Sequence, residues 1–412
     1  MSTKAALLAA LLFTAAVPAP ALAAQAAPAA APAAAPSKEA RPALAALQKA
    51  ANENRVAELP ALSQAALAVA KTPIDRYFAY QLQLKPLAAA NNDAALLAAL
   101  EGTIATGVPK GPELANYNLV AARLYFNKGS ADTAATAKAA AAVEQVVASD
   151  PNNVEGLYIL GLVRNRQKRP AEAVTALQKS IQLSQASGKP ADPQIFEQAL
   201  SIAYNNRLPV ARELAFTQLK TAPTPKNWRT ALKIYEQTSN LNAADKIDLF
   251  RLQRLTNSFE GEGDYFPYVD ALLTRGLPGE AKAVLDEAFA ANKIDRNKAT
   301  WKEMASSAGG RIAGDRASLA SGEKTALAAS TARPALNTGD AFLSYGDYAK
   351  AATLYRAALG KGGADADLAN LRLGIALTRS GDTAGATAAF NAVKGNRASL
   401  AQMWLLYLQT KA

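Results

Sequence analysis

Residues 334–359 read PALNTGDAFLSYGDYAKAATLYRAAL, and residues 369–394 read ANLRLGIALTRSGDTAGATAAFNAVK. At an offset of 35, six positions agree in kind: Gly339, Phe342, Gly346, Asp347, Ala351 and Tyr355 return as Gly374, Leu377, Gly381, Asp382, Ala386 and Phe390. In each segment an apolar helical pattern runs up to Gly-Asp and a second one follows, which predicts two helices joined by a tight turn. The first Gly, lacking Cβ, lets the second helix approach closely. The turn Gly permits a left-handed C-cap, and Asp N-caps the next helix. The Ala of the second helix must be small where the partner helix crosses, and the aromatic four residues on fills the gap on the same face.

The pattern extends upstream. Asp150-Pro151-Asn152-Asn153 reads as a turn, with Leu160-Gly161, Glu172-Ala173 and Leu177 after it. Gly276-Leu277-Pro278-Gly279-Glu280-Ala281 repeats the theme, with Leu285 and Ala288 behind it. Pro170, Pro209 and Pro278 each follow an expected turn, where a first helical residue needs no N–H partner. This arrangement resembles the tetratricopeptide repeat, a family of 34-residue helix–turn–helix units. The resemblance implies an all-α fold: a right-handed superhelical α-solenoid of about nine to ten such repeats. Used as a ruler, it sets turns near residues 54, 92, 130, 168, 207, 240, 276, 311, 346 and 381. The expected organisation is a helical array over 41–295, a divergent repeat or joint over 296–333 around Gly309-Gly310, and a C-terminal pair with a capping helix over 334–412. In the capping helix, Trp404 and Leu408 are expected on the buried face.

Composition agrees with helices and excludes much chemistry. Half of the 412 residues are apolar and 7% are aromatic. Alanine, the best helix former, supplies much of the apolar share. The chain has no Cys and no His. Disulfides, thiolate nucleophiles, Cys/His metal sites and the Ser-His-Asp triad are therefore unavailable. Lys and Arg outnumber Asp and Glu by 45 to 34. The excess is spread along the chain without a basic block, so it favours solubility and attraction to anionic surfaces rather than nucleic-acid binding.

The N-terminus reads as a processing signal. Lys4 precedes the apolar run from Ala5 to Val17, and Ala21-Leu22-Ala23 fits a small-x-small cleavage site, giving a signal peptide over 1–23, with an alternative cut after Ala24-Gln25-Ala26. The run is shorter than the ~20 residues that span a bilayer. Residues 24–40 form an Ala/Pro-rich linker whose prolines oppose a stable helix. No other segment is apolar enough to cross a membrane. The expected location is periplasmic or secreted, and the chain is not expected to be an integral membrane protein.

The resemblance implies that the first helix of each unit lines a concave groove. By position, Arg123, Phe126 and Asn127 face inward from one unit, Tyr158, Asn165 and Arg166 from the next, and Tyr204 and Asn205 from a third. Arg suits carboxylates, Asn suits backbone amides and Tyr offers a stacking surface; each is equally readable as a solvated or half-buried spacer. The family's Lys/Asn clamp for C-terminal carboxylates is not carried by the aligned Tyr158 and Leu162. Residues 258–264, SFEGEGD, form the most acidic loop, but the spacing matches no EF-hand. Glu260 and Glu262, two apart in a loop, are not held at the fixed separation of a glycosidase pair. Trp228, Trp301 and Trp404 read as packing residues. No cofactor or metal is expected. The function expected is a non-catalytic scaffold or adaptor with a protein or peptide partner. The alternative is a component of polysaccharide export or envelope assembly that binds an anionic glycan or cell wall.

Overall fold

The computed structural model describes residues 35–188, 192–361 and 363–411. Among the described residues there are 20 α-helices and no strand, and helix makes up 79%. The all-α expectation therefore holds. The signal-peptide reading of 1–23 and the linker reading of 24–34 lie outside the described residues. The chain divides into two compact units, one ending at Pro209 and the other starting at Val210.

The first unit contains α1 (Arg41–Asn52), a 3-10 turn (Val56–Glu58), α2 (Leu59–Ala68), α3 (Pro73–Ala89), α4 (Asp93–Ala105), α5 (Gly111–Asn127), α6 (Thr133–Ser149), α7 (Val154–Arg166), α8 (Pro170–Ala186) and α9 (Pro193–Asn205). Helices pair in succession as hairpins α1/α2, α3/α4, α5/α6 and α7/α8, and α9 packs on α8. A continuous apolar core runs from Leu47 to Val163 through Leu100, Ala122, Ala139 and Val146. Helix starts carry their own signals. Asn92, Asp132, Asn153 and Asp192 each accept a backbone N–H from the first turn of the following helix. Thr72 and Asp75 form a capping box at α3. Asp75 is fully buried and also ties down the N-terminal segment. Its carboxylate accepts from Ser37 N at 2.7 Å, Ser37 Oγ at 2.8 Å and Lys71 N at 2.9 Å. Burial alone would raise its pKa; those donors outweigh burial and hold it well below the usual carboxylate range.

The second unit contains α10 (Ala211–Thr221), α11 (Pro225–Thr238), α12 (Ala243–Leu255), α13 (Glu262–Thr274), α14 (Pro278–Ala290), α15 (Ala299–Ala328), α16 (Ala332–Ser344), α17 (Tyr348–Leu359), α18 (Ala366–Ser380), α19 (Thr383–Ala392), a 3-10 turn (Gly395–Arg397) and α20 (Ala398–Lys411). The hairpins are α11/α12, α13/α14, α16/α17 and α18/α19. As expected, α20 buries Trp404 and Leu408. The Trp404 ring stacks on Phe390 at 5.7 Å. Within this unit the last helices return to the first ones: Trp228 of α11 meets Tyr407 of α20 edge-on at 6.4 Å, and the Arg397 guanidinium pairs with Asp245 of α12 at 2.5 Å.

Eight of the ten expected turns carry a residue of positive φ within one position: Asn54, Asn91, Gly129, Lys168, Arg207, Gly276, Gly346 and Gly381. Near 240 the chain turns through extended backbone instead, and Asn242 caps α12. Near 311 there is no turn. Gly309 and Gly310 lie inside α15, a single helix of 30 residues. One capping expectation also fails: Asp382 caps α19 through Gly385 N at 2.8 Å, whereas the Asp347 side chain makes no cap bond.

Candidate functional site

Every sequence-expected groove residue lies in the first unit, on α5, α7 or α9. Two of them tie α5 to α7. Arg123 of α5 is ion-paired with Glu155 of α7. Arg166 of α7 lies over the Phe126 ring at 3.5 Å and donates to Phe126 O at 2.6 Å and to Gly129 O at 3.3 Å. These contacts tie consecutive first helices together. They also draw Phe126 and Tyr158 into half-buried positions, with Tyr158 beside Arg123. Burial pushes the Tyr158 phenol up. Asn127, Asn165, Tyr204 and Asn205 are exposed. Asn205 Nδ2 donates to Ser201 Oγ at 3.3 Å. The structure therefore divides the eight residues into a half-buried set, Arg123, Phe126, Tyr158 and Arg166, and an exposed set, Asn127, Asn165, Tyr204 and Asn205.

The second unit contains a feature that sequence reading missed. Five charged side chains from four helices meet in its interior: Asp248 and Arg251 of α12, Glu280 of α14, Asp340 of α16 and Arg372 of α18. Asp248 bridges both arginines, accepting from Arg251 Nη1 at 2.7 Å and from Arg372 Nε at 3.1 Å. Arg251 reaches Glu280 through Nη2 at 2.6 Å and Nε at 3.0 Å. Arg372 Nη1 reaches Asp340 at 2.6 Å. Two buried phenols complete the carboxylates: Tyr268 donates to Glu280 at 2.6 Å and Tyr355 donates to Asp340 at 2.8 Å. Burial opposes the charge on Glu280, but Arg251 and the Tyr268 hydroxyl outweigh it and hold the carboxyl below its ordinary value. Burial and the adjacent carboxylates push both phenols well up. The network is a fastener between repeats, with its polar groups satisfied. The signal for it is visible in retrospect: Arg251 and Arg372 each stand between apolar neighbours, in Phe250-Arg251-Leu252 and Leu371-Arg372-Leu373.

The acidic loop is likewise self-satisfied. Asp264 caps the loop by accepting Glu260 N at 2.9 Å and pairs with Arg229 at 3.2 Å and Lys233 at 3.0 Å. Glu262 pairs with Lys298 at 2.7 Å. Among the described residues, no three acidic side chains are grouped to hold a metal ion.

A family model described as "Tetratricopeptide repeat" matches residues 136–190 and 336–401. These segments hold the α7/α8, α16/α17 and α18/α19 hairpins, and it is there that the chain carries tetratricopeptide repeats. Comparison with curated proteins finds no match. Among solved structures, a tetratricopeptide repeat protein from Parabacteroides merdae is 12% identical, covering 83% of this chain and all (100%) of that chain at a TM-score of 0.33. The Naa15/Naa10 complex bound to HypK-THB is 13% identical, covering 82% of this chain and 65% of that chain at 0.32. Yeast Tom70 is 12% identical, covering 90% of each chain at 0.24. At these TM-scores the likeness carries nothing about partner or ligand.

Proposed function

We propose that this protein is an exported scaffold that holds a peptide segment of a protein partner against the first-helix face of its N-terminal unit, without catalysing a reaction. The observation that carries the proposal is the division of labour on α5, α7 and α9. Arg123 and Arg166 are spent on holding neighbouring helices in place. Asn127 and Asn165 stand exposed on those two tied helices, and Tyr204 and Asn205 stand exposed on α9. Asparagine amides suit the N–H and C=O groups of an extended peptide, and an exposed Tyr adds contact area at low entropic cost. A scaffold fixed before binding loses less freedom on association. Tetratricopeptide-repeat proteins are typically non-catalytic scaffolds, and a chain without His or Cys lacks the commonest acid–base and nucleophilic groups.

Export rests on the sequence of residues 1–23. Intact-mass measurement of protein purified from its native envelope should give a mature N-terminus at Ala24; a chain retaining Met1 or Ser2 overturns that part of the proposal.

The groove is tested by affinity capture from native envelope extract with two baits, wild type and Asn127→Ala/Asn165→Ala/Tyr204→Ala. These exposed positions are chosen because Arg123 and Arg166 support the fold. A partner retained by wild type and depleted at least tenfold on the variant supports the face. Equal capture by both baits contradicts it.

A further inference from the structure

The first unit carries a groove of about 440 Å³, within the size range of small-molecule sites. Its floor is a stripe of α5, Leu114, Asn118, Ala121 and Tyr125, and its walls include Ile104 of α4 and Ala142 of α6. At about 3.6 residues per turn this stripe points away from Arg123 and Asn127, so the groove opens on the second-helix side of α5. The rise from Leu114 to Tyr125 is about 16 Å, the length of roughly five residues of extended chain. Charge is settled at the two ends. Glu101, beside Tyr125, accepts from Lys138 at 2.8 Å and from the Tyr125 hydroxyl. Lys110, at the other end, is exposed. Between them the lining is uncharged, and the small side chains of Ala121 and Ala142 keep the space open.

Asn118 is the exception on that floor. It is 8% exposed, and its side-chain amide makes no hydrogen bond with any described residue. The other buried polar groups of these helices are bonded: Thr103 Oγ1 donates to Ala99 O at 2.7 Å and Thr136 Oγ1 to Asp132 O at 3.0 Å. Neither amide atom of Asn118 belongs to the unpartnered atoms sealed in the interior, so the amide opens into the groove it lines. Nothing in the fold asks for an amide there. A leucine at 118 would cover the same floor between Leu114 and Ala121 with apolar surface. Asparagine instead sets a donor and an acceptor side by side in an apolar channel. One residue of an extended chain presents its own N–H and C=O on the same edge, as in a strand pair, and can exchange two hydrogen bonds with that amide. A lone trans amide, such as an acetamido group, points its N–H and C=O in opposite directions and cannot.

We propose that this groove binds a short, uncharged, extended peptide with small side chains, one residue of which pairs its N–H and C=O with the Asn118 side chain. The uncharged floor matches a neutral ligand, the narrow apolar walls match small side chains, and the length matches four or five residues, at roughly 3.3 Å each. The groove lies on the other side of α5 from the proposed partner-binding face and stands or falls without it.

The test is isothermal titration of the full mature protein with acetyl-tetraalanine amide, its fully N-methylated form and N-acetylglucosamine. The expected result is saturable binding of the peptide, at least tenfold weaker binding of the N-methylated form, which has lost its N–H donors, and no binding of the sugar. Asn118→Leu should weaken peptide binding at least tenfold while melting at or above the wild-type temperature, because the fold does not use the amide. Ala141→Phe, at an exposed wall position, should block the groove to the same degree. Ala137→Phe, exposed on α6 outside the groove, should bind as wild type. No peptide binding at millimolar concentration, binding of N-acetylglucosamine in its place, or wild-type affinity in Asn118→Leu overturns the proposal. A fall of more than about 4 °C in the melting temperature of Asn118→Leu would assign the amide to the fold and overturn it as well.

Discussion

Three glycines show how one atom sets the spacing of a hairpin. A Cβ on Gly161, Gly339 or Gly374 would stand 2.6 Å from Leu177 Cγ, 2.8 Å from Tyr355 Cε1 and 2.5 Å from Phe390 Cε1 respectively. Each partner lies on the second helix of the same hairpin and is fully buried. Gly374→Ala should therefore destabilise by about 1–3 kcal/mol through overpacking; a urea midpoint equal to wild type would contradict this packing. Gly339 and Gly374 were legible in the sequence because an offset of 35 relates them, and Gly161 because it follows the Asp150–Asn153 turn at the spacing of the repeat. The charged fastener was not legible, because helical periodicity alone does not tell a solvated Arg from a buried one. Its stake is larger: Asp248→Ala leaves Arg251 and Arg372 buried without their shared carboxylate, and breaking a buried pair costs about 3–5 kcal/mol. Chemical denaturation measures that loss, and a loss under about 1 kcal/mol would mean water replaces the carboxylate. Acid should act through the same kind of group. Asp75 and Glu280 have folded pKa values below their unfolded ones. The unfolded chain therefore binds more protons as pH falls, and stability is full above about pH 4–5 and lost below it. A melting temperature that stays level from pH 7 to pH 3 would contradict this.

At the scale of elements, α15 is where the sequence reading and the structure part. Gly309-Gly310 continued the register of the ruler and suited a turn, yet the chain stays helical through both. Its neighbours explain why. Trp301 and Ala326 are buried near the two ends, and Lys361 Nζ donates to the carbonyls of Ala326, Leu327 and Ala329 at 2.9, 2.9 and 2.6 Å. That lysine satisfies acceptors the helix end leaves open. Between those anchors, Ala-rich sequence favours propagation of the helix over a break. A Cβ at Gly309 or Gly310 would meet nothing within 4 Å. Gly309→Ala and Gly310→Ala should each stabilise by about 0.5–1 kcal/mol. Destabilisation of thermal unfolding by either would show that the glycines serve a turn after all. The turns that were legible are those where the backbone must become left-handed. Asn and Gly tolerate this most readily, but Lys168 and Arg207 adopt it too, and only the ruler located those two.

For the whole molecule, the helical class and eight of the ten turns were readable from spacing because a hairpin cannot bury its apolar face alone and must stack on a neighbour. The binding face was readable only in outline. Position in the repeat selected eight residues, but position does not reveal which of them the fold consumes. Arg123 and Arg166 turned out to be ties between helices, while the exposed residues are Asn127, Asn165, Tyr204 and Asn205. The central claim, that this first-helix face receives a protein partner, is tested most directly by photo-crosslinking in intact cells. A benzophenone amino acid is placed at Asn127, Asn165 or Tyr204, and as a control at Thr175, exposed on the second helix α8. The account predicts that the three face positions crosslink to one common protein and that Thr175 does not. Crosslinking from Thr175 alone, or none from any face position, would contradict it.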